Sequence, residues 1–512
     1  MAHDHFKSRD LLLQVALFFI LFICLVYTFP RWADPNQNSR IDMVMAIVDD
    51  GTFMIDQYVE NTVDYAKVGD HYYSDKAPGV SFLGVPLYAG LKELVDTTQV
   101  KNLTTRLAAS ETFKNTLRAE GSGVFEKKVH FALAQVALTF TLAALPTAVL
   151  GVLMYRLLGK MIPQKEPRIV VVLAYCLLTP VFAYAGAYYG HQLSALLLFG
   201  AFYLVFVPDQ PIPPWRLLVV GFLLSYSVIT EYPAALGAIT IGIYTVYTLY
   251  KRKQRLWGVA WLLPGIILIG SGWMLYNQTV FGGPLELGYS YSELWSSTHS
   301  TGFLSLTQPR PEIMWEITFG LFRGLFIISP WLLLAFPGYV IWWKSFRYRA
   351  EWLVSLSIAL LYFLFNASSS MWWGGFSIGP RYFLPALPFL AMSVPFVLVS
   401  MFRNKLGIAV SIALLALSFV PTWGLTLAGQ AFPPDTINNP LMDYAWINWK
   451  VGNIARNIGT LMGLRGPWSL LPLIATILLI ILGYWMLVRL RTDHLLSTEL
   501  TKIYPSTENV DD

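Results

Sequence analysis

Lys76 stands in Tyr72-Tyr73-Ser74-Asp75-Lys76-Ala77-Pro78-Gly79, just ahead of an apolar run. A cation at a water–membrane boundary, flanked by tyrosines, suits a lipid phosphate. In the plainer reading the lysine only starts a helix. Other ionisable residues lie between or beside apolar runs: Arg40, Asp42, Asp56, Asp64 and Asp75 in the stretch 30–129, then Gly190-His191, Thr230-Glu231-Tyr232-Pro233 and Gly379-Pro380-Arg381. Ionisable groups at membrane depth are costly and point to function. A carboxylate can take a proton from an attacking hydroxyl, and a fixed cation can stabilise a departing anion. Asp56 and Asp64 are the first candidates for the base, because no helix face accounts for either. Asp42 follows them. Arg40, Tyr73, Asp75, Lys76, His191, Glu231 and Arg381 form the candidate substrate-binding set. Plainer roles stand beside these. Asp42, Asp49 and Asp50 fit the wet face of a surface helix, His191 fits a structural hydrogen-bonder, and Arg381 fits an interface anchor.

Other chemistries lack their residues. No Gly-rich phosphate loop, HExxH or CxxC occurs, and no serine nucleophile elbow stands out. Cys24 and Cys176 lie inside apolar runs and read as small buried hydrophobes. No metal site and no cofactor is expected. Asn102-Leu103-Thr104 and Asn277-Gln278-Thr279 match the glycosylation sequon, a weak signal.

Membrane-spanning helices must position these residues. Of 512 residues, 55% are hydrophobic and only 13% charged, against about 25% charged in soluble domains. Mean hydropathy is +0.52. These values exclude a soluble enzyme, a disordered chain and a fibre. Net charge is only +5 with no basic tract, which excludes nucleic acid as a partner. Apolar stretches near 11–29, 130–157, 169–187, 191–208, 215–230, 233–250, 256–276, 324–343, 352–368, 383–402, 406–425 and 468–490 predict about twelve spans. The fold class expected is an all-α polytopic membrane protein.

Lys and Arg set the orientation. Lys160, Lys165 and Arg168, then Lys251 to Arg255, then Lys344 to Arg349, then Arg403 and Lys405 fall on one side with both ends of the chain. Both termini are then cytoplasmic in a plasma or inner membrane. The division expected is 1–29 N-terminus and uncleaved signal anchor, 30–129 first outer loop, 130–276 spans two to seven, 277–323 outer loop, 324–425 spans eight to eleven, 426–467 outer loop, 468–490 last span and 491–512 tail. In the first loop Ile41, Val44, Met45 and Val48 form an apolar stripe, which predicts an amphipathic helix lying on the membrane. A second apolar helix is expected from Val80 to Val95. All candidate site residues then share the outer face.

This order of elements resembles the GT-C membrane glycosyltransferases, in particular the protein mannosyltransferase and aminoarabinose transferase group, in an uncharacterised bacterial branch. Lys76-Ala77-Pro78 is similar to that group's Tyr-x-x-Lys-Pro-Pro-like motif, and Gly379-Pro380-Arg381-Tyr382-Phe383-Leu384-Pro385 to a late Arg-Tyr motif. Asn38-Ser39-Arg40, Gly51-Thr52-Phe53 and Trp372-Trp373-Gly374-Gly375 fit the bacterial branch. One departure stands out. The family's acidic pair falls here at Asn36-Gln37, leaving Asp34, Asp42, Asp56 and Asp64 as substitutes nearby. The resemblance implies a helical bundle with the first outer loop over the site. It implies a polyprenyl-phosphate sugar as donor, an acceptor hydroxyl of unknown identity, inversion at the anomeric carbon, and a cation on the leaving phosphate. A transporter or flippase of a lipid-linked sugar is the alternative, and predicts a midplane site and internal repeats. A structural scaffold would leave the outer cluster without purpose.

Overall fold

The computed structural model describes residues 2–31, 34–98, 101–102, 105–106, 125–206, 211–295, 298, 301–302 and 305–503. Most of the polar stretch 96–128, including Leu103 and Thr104 of the first sequon, lies outside them.

The first helix, α1 (Ala2–Val26), is apolar from Leu11 onward. Helix α2 (Pro35–Met45) is capped by Asp34 and carries Pro35 in its first turn. A proline there costs nothing, since its missing N–H would be unpaired anyway. A π turn, Ala46–Asp50, ends at Gly51 with φ +67°. A hairpin follows, β1 (Tyr65–Val68) antiparallel to β2 (His71–Ser74), turning at Gly69 with φ +61°. Helix α3 (Gly79–Val95) opens after Pro78. Among the described residues the fold is mostly helical, as expected, with this two-stranded hairpin added to it. Strand periodicity over four residues was too short to register.

The remaining long helices are α4 (Phe125–Thr139), continued through a π turn into α5 (Leu145–Met161), α6 (Lys165–Leu177), α7 (His191–Phe206), α8 (Pro214–Thr230), α9 (Ala234–Lys251), α10 (Leu263–Phe281), α11 (Arg349–Ser368), α12 (Lys405–Leu427) and α13 (Leu471–Ile503). Among the described residues, six helical segments are long and apolar enough to cross a membrane: Arg9–Val26, Val129–Met161, Leu256–Phe281, Arg349–Ser368, Lys405–Leu427 and Gly466–Arg489. A bent pair, Arg381–Ala391 with Val394–Met401, makes a seventh if it counts as one crossing. The expected twelve are not reached by length and composition. Breaks divide the apolar stretches: 169–187 splits at Thr179-Pro180, and 324–343 splits at Ser329-Pro330. Helices α7 and α8 are apolar but short. The chain is a multi-pass membrane protein by these segments.

Two cores form. The larger joins α1 and α5 to α9 with the later helices. The smaller gathers Ile41, Val44, Tyr58, Ala66, Tyr73 and Val80 of the first long loop against Phe131, Tyr188, Tyr276 and Phe281. The loop is thus a packed layer on the bundle. This overturns the surface-helix reading of α2. Gln37 to Met45 are all buried, and Asp42 has no exposed surface. Asn61 donates to Asp42 Oδ1 at 3.0 Å, Asn38 donates to the Asn61 carbonyl at 2.9 Å, and the Thr62 hydroxyl donates to the Pro35 carbonyl at 2.7 Å. The returning chain covers the face expected to meet water.

Candidate active site

The hairpin's end and the start of α3 deliver Asp75 and Lys76 together. Lys76 Nζ lies 2.9 Å from Asp64 Oδ2 and 3.0 Å from Asp75 Oδ1. All three residues are buried. Gly79 permits this placement, since a Cβ there would come within 2.8 Å of the Ile229 and Thr230 backbone. Burial raises the Asp64 carboxyl, but Lys76, the Trp295 N–H and Arg381 outweigh it and hold Asp64 below the usual range. Burial and the neighbouring Asp64 charge push Asp75 up against the pull of Lys76. Burial lowers the Lys76 ammonium, and the two carboxylates more than reverse this, so it is held above its ordinary value. Lys76 is therefore engaged by two acids, with which a phosphate would have to compete.

A second group forms around Glu231, which caps the end of α8 in an extended conformation. Arg40 Nη2 lies 3.2 Å from Glu231 Oε1, and His191 Nδ1 lies 3.6 Å from the same oxygen. Gly190 leaves the room: a Cβ there would meet Glu231 Oε1 at 2.6 Å and the Thr230 carbonyl at 2.5 Å. Arg40 also donates to the Asn36 side chain.

Tyr189 links the groups. Its hydroxyl donates to Asp34 Oδ2 at 2.6 Å. The guanidinium carbons of Arg40 and Arg381 lie 5.9 and 5.6 Å from its ring centre, and the His191 ring packs edge-on at 5.7 Å. Asp34 accepts as well from the backbone N–H groups of Asn36 and Gln37. Burial raises the Asp34 carboxyl, while Tyr189 and the charge of Arg381 partly offset it. Asp34 and Asp64 also feel each other's charge, so these groups share one site.

Arg381 differs from Lys76 and Arg40. Among the described residues no carboxylate lies within ion-pair distance of it, and its Nε has no hydrogen-bond partner. It is half-buried and emerges from the turn Gly374–Pro380, in which Gly374, Gly375 and Gly379 all have positive φ. Arg323 holds that turn, donating to the carbonyls of Trp373 at 3.0 Å and Gly375 at 2.9 Å.

Arg40, Asp64, Asp75, Lys76, His191, Glu231 and Arg381 are thus brought together. Three candidates are not. Asp56 is exposed on the hairpin's outer side, where it pairs with His71 at 2.8 Å and accepts from the Tyr72 N–H. Asp42 is sealed in the loop's core, where burial pushes its carboxyl well up. Tyr73 is buried edge-on to Phe281. Sequence reasoning passed over Tyr189 and Trp295. Tyr189 is adjacent to the Gly190-His191 pair that was noticed, but Trp295 has no local signal. Asp34 was named only as a nearby substitute, although Asp-Pro before a helix is a readable cap. Among the described residues no group of three or more His, Cys, Asp or Glu can hold a metal ion.

Neither a family model nor a curated protein matches the chain. Among solved structures it is similar to the archaeal oligosaccharyltransferase AglB from Archaeoglobus fulgidus, in complex with an inhibitory peptide and a dolichol-phosphate. Identity is 11% and the TM-score 0.41, over 82% of this chain and 55% of that one. The chain spans about half the length of that structure.

Proposed function

We propose that this chain transfers a sugar from a polyprenyl-phosphate donor to an acceptor hydroxyl at the outer face of the membrane. One observation carries the reading: a carboxylate, Asp64, ion-paired with Lys76 at 2.9 Å, shares a site with Arg381, a cation that has no carboxylate counter-ion among the described residues. A phosphate supplies the missing partner for Arg381. Guanidinium groups suit phosphate geometry, and such charge-assisted bonds are strong in a site shielded from water.

The acceptor oxygen attacks the anomeric carbon from the side opposite the phosphate. Asp64 takes the hydroxyl proton. The bond from the anomeric carbon to the phosphate oxygen breaks, and its electron pair leaves with the polyprenyl phosphate. Arg381 stabilises the charge gained there. Configuration inverts in a single displacement. Lys76 keeps Asp64 ionised, and Glu231 with Arg40 and His191 supplies hydrogen-bonding groups for sugar hydroxyls. The sugar is a hexose or pentose in this reading, and the acceptor is a lipid, glycan or protein.

The test uses the purified chain in lipid vesicles with a radiolabelled polyprenyl-phosphate sugar. Label transferred to an acceptor, or released to water, supports the enzyme. Intact donor moved across the bilayer with no cleavage supports the transporter instead and rejects the transferase.

A further inference from the structure

The outer segment between α10 and the next helices received no chemical role from sequence. In the structure, residues 288–295 cross the hairpin beside the base. Ser292 forms an antiparallel bridge with Ala66 of β1. Glu293 accepts from the Tyr65 hydroxyl at 3.1 Å and pairs with Lys67 at 3.4 Å. Tyr291 stacks on Phe281 with ring centres 5.4 Å apart. Gly288 lets the strap press down, since a Cβ there would stand 3.0 Å from the Asp75 Cα. Beyond these anchors, Trp295 Nε1 donates to Asp64 Oδ1 at 3.0 Å.

We propose that Trp295 is a positioning residue for the general base, so that the strap 288–295 belongs to the catalytic site. The inference rests on the transferase reading above. Its physical basis is the way Asp64 is held. Lys76 grips one carboxylate oxygen and the Trp295 N–H grips the other. Two donors on different oxygens fix the plane of the carboxylate, which a single ion pair leaves free to rotate. Indole only donates, so Trp295 cannot compete for the acceptor's proton. The charged groups acting on Asp64 are Lys76 and Asp75 from the start of α3, Asp34 from the cap of α2, and Arg381 from the glycine-rich turn. None of them touches Oδ1, so the indole is the neighbour that sets its direction.

Trp295→Phe keeps a ring and removes the N–H. In the vesicle assay, turnover at neutral pH should fall about tenfold to a hundredfold, the worth of a hydrogen bond to a charged group. The donor KM should hold. A donor N–H favours the ionised carboxylate, so its loss should also move the acid limb of the kcat–pH profile to higher pH. A purely structural tryptophan would leave that limb in place. Unchanged turnover with an unmoved limb overturns the proposal. A second measurement needs no activity. The full chain labelled with 5-fluorotryptophan should show a 19F resonance absent from Trp295→Phe, shifted by Asp64→Asn and not by Asp56→Asn. A resonance indifferent to Asp64→Asn shows that the contact does not exist. If the unsubstituted protein transfers nothing while the resonance still answers to Asp64, the contact is real, and both the transferase reading and the positioning role fall.

Discussion

Lys76 lies between two carboxylates, so removing it poses a charge problem more than it deletes a ligand. In Lys76→Met, Asp64 and Asp75 face each other without the cation that bridges them. Breaking a buried pair in this way costs about 3–5 kcal/mol, and thermal unfolding in detergent at pH 7 should show it. The deficit should shrink near pH 4, where one acid takes up a proton. Asp75→Asn added to Lys76→Met should recover stability at pH 7. The opposite pattern, full stability with donor binding lost, would restore Lys76 to the phosphate. Asp64→Asn should cut transfer by about a hundred- to ten-thousandfold and retain donor binding. Asp56→Asn should leave transfer unchanged. The buried Asp42 gives a separate pH signature. Its folded carboxyl is raised, so it costs stability once pH climbs above the unfolded value of about 3.9. Asp42→Asn should therefore melt higher than the parent at pH 7.5 and level with it near pH 4. A gain at pH 4 alone would contradict the assignment.

Elements are brought to the site by close backbone approaches that side chains would block. Gly190 and Gly90 make a matched pair. Gly190→Ala drives a methyl into Glu231 and the Thr230 carbonyl, whereas Gly90 in α3 has nothing within 4 Å of its Cβ position. The first should lose about 1–3 kcal/mol by overpacking and most of its transfer. The second should gain about 0.5–1 kcal/mol as a helical glycine replaced by alanine. Melting curves of the two variants check both. Legibility follows the same division. The stripe Ile41, Val44, Met45 and Val48 located a helix correctly, because a period of 3.6 is local information. What covers the opposite face is not local, and Asn61 and Thr62 return from about twenty residues further on to bury it. Asp75, Lys76, His191, Glu231 and Arg381 were readable because ionisable groups beside apolar runs are conspicuous. Tyr189 and Trp295 were not, since aromatic residues are common in membrane proteins and only their partners distinguish these two. Asp56 and Asp64 looked alike in sequence. The hairpin turns one outward to His71 and the other inward to Lys76.

At the scale of the whole molecule, the basic loops predict which side each segment faces. Cys24 and Cys176 are both buried, so single introduced cysteines can be read against a quiet background. Glu60→Cys should react with an impermeant maleimide added outside intact cells, and Lys253→Cys only after permeabilisation. Labelling at 253 with protection at 60 would invert the topology and place the site in the cytoplasm. The shortness of α7 has a further consequence. Its 16 residues extend about 24 Å at 1.5 Å per residue, whereas the hydrocarbon layer is about 30 Å thick. The neighbouring α8, with 17 residues, is scarcely longer. His191 opens the one and Glu231 closes the other, so the shortfall falls most naturally at this polar end. Arg40, His191 and Glu231 at that end are all buried, and Gly79 of the first long loop packs on the Ile229 and Thr230 backbone, so the loop takes the place of the missing helical turn. In the transferase reading, a lipid-borne headgroup would then reach the buried cluster beneath that loop with its tail still in the leaflet, and the donor would not have to be extracted from the membrane in order to react.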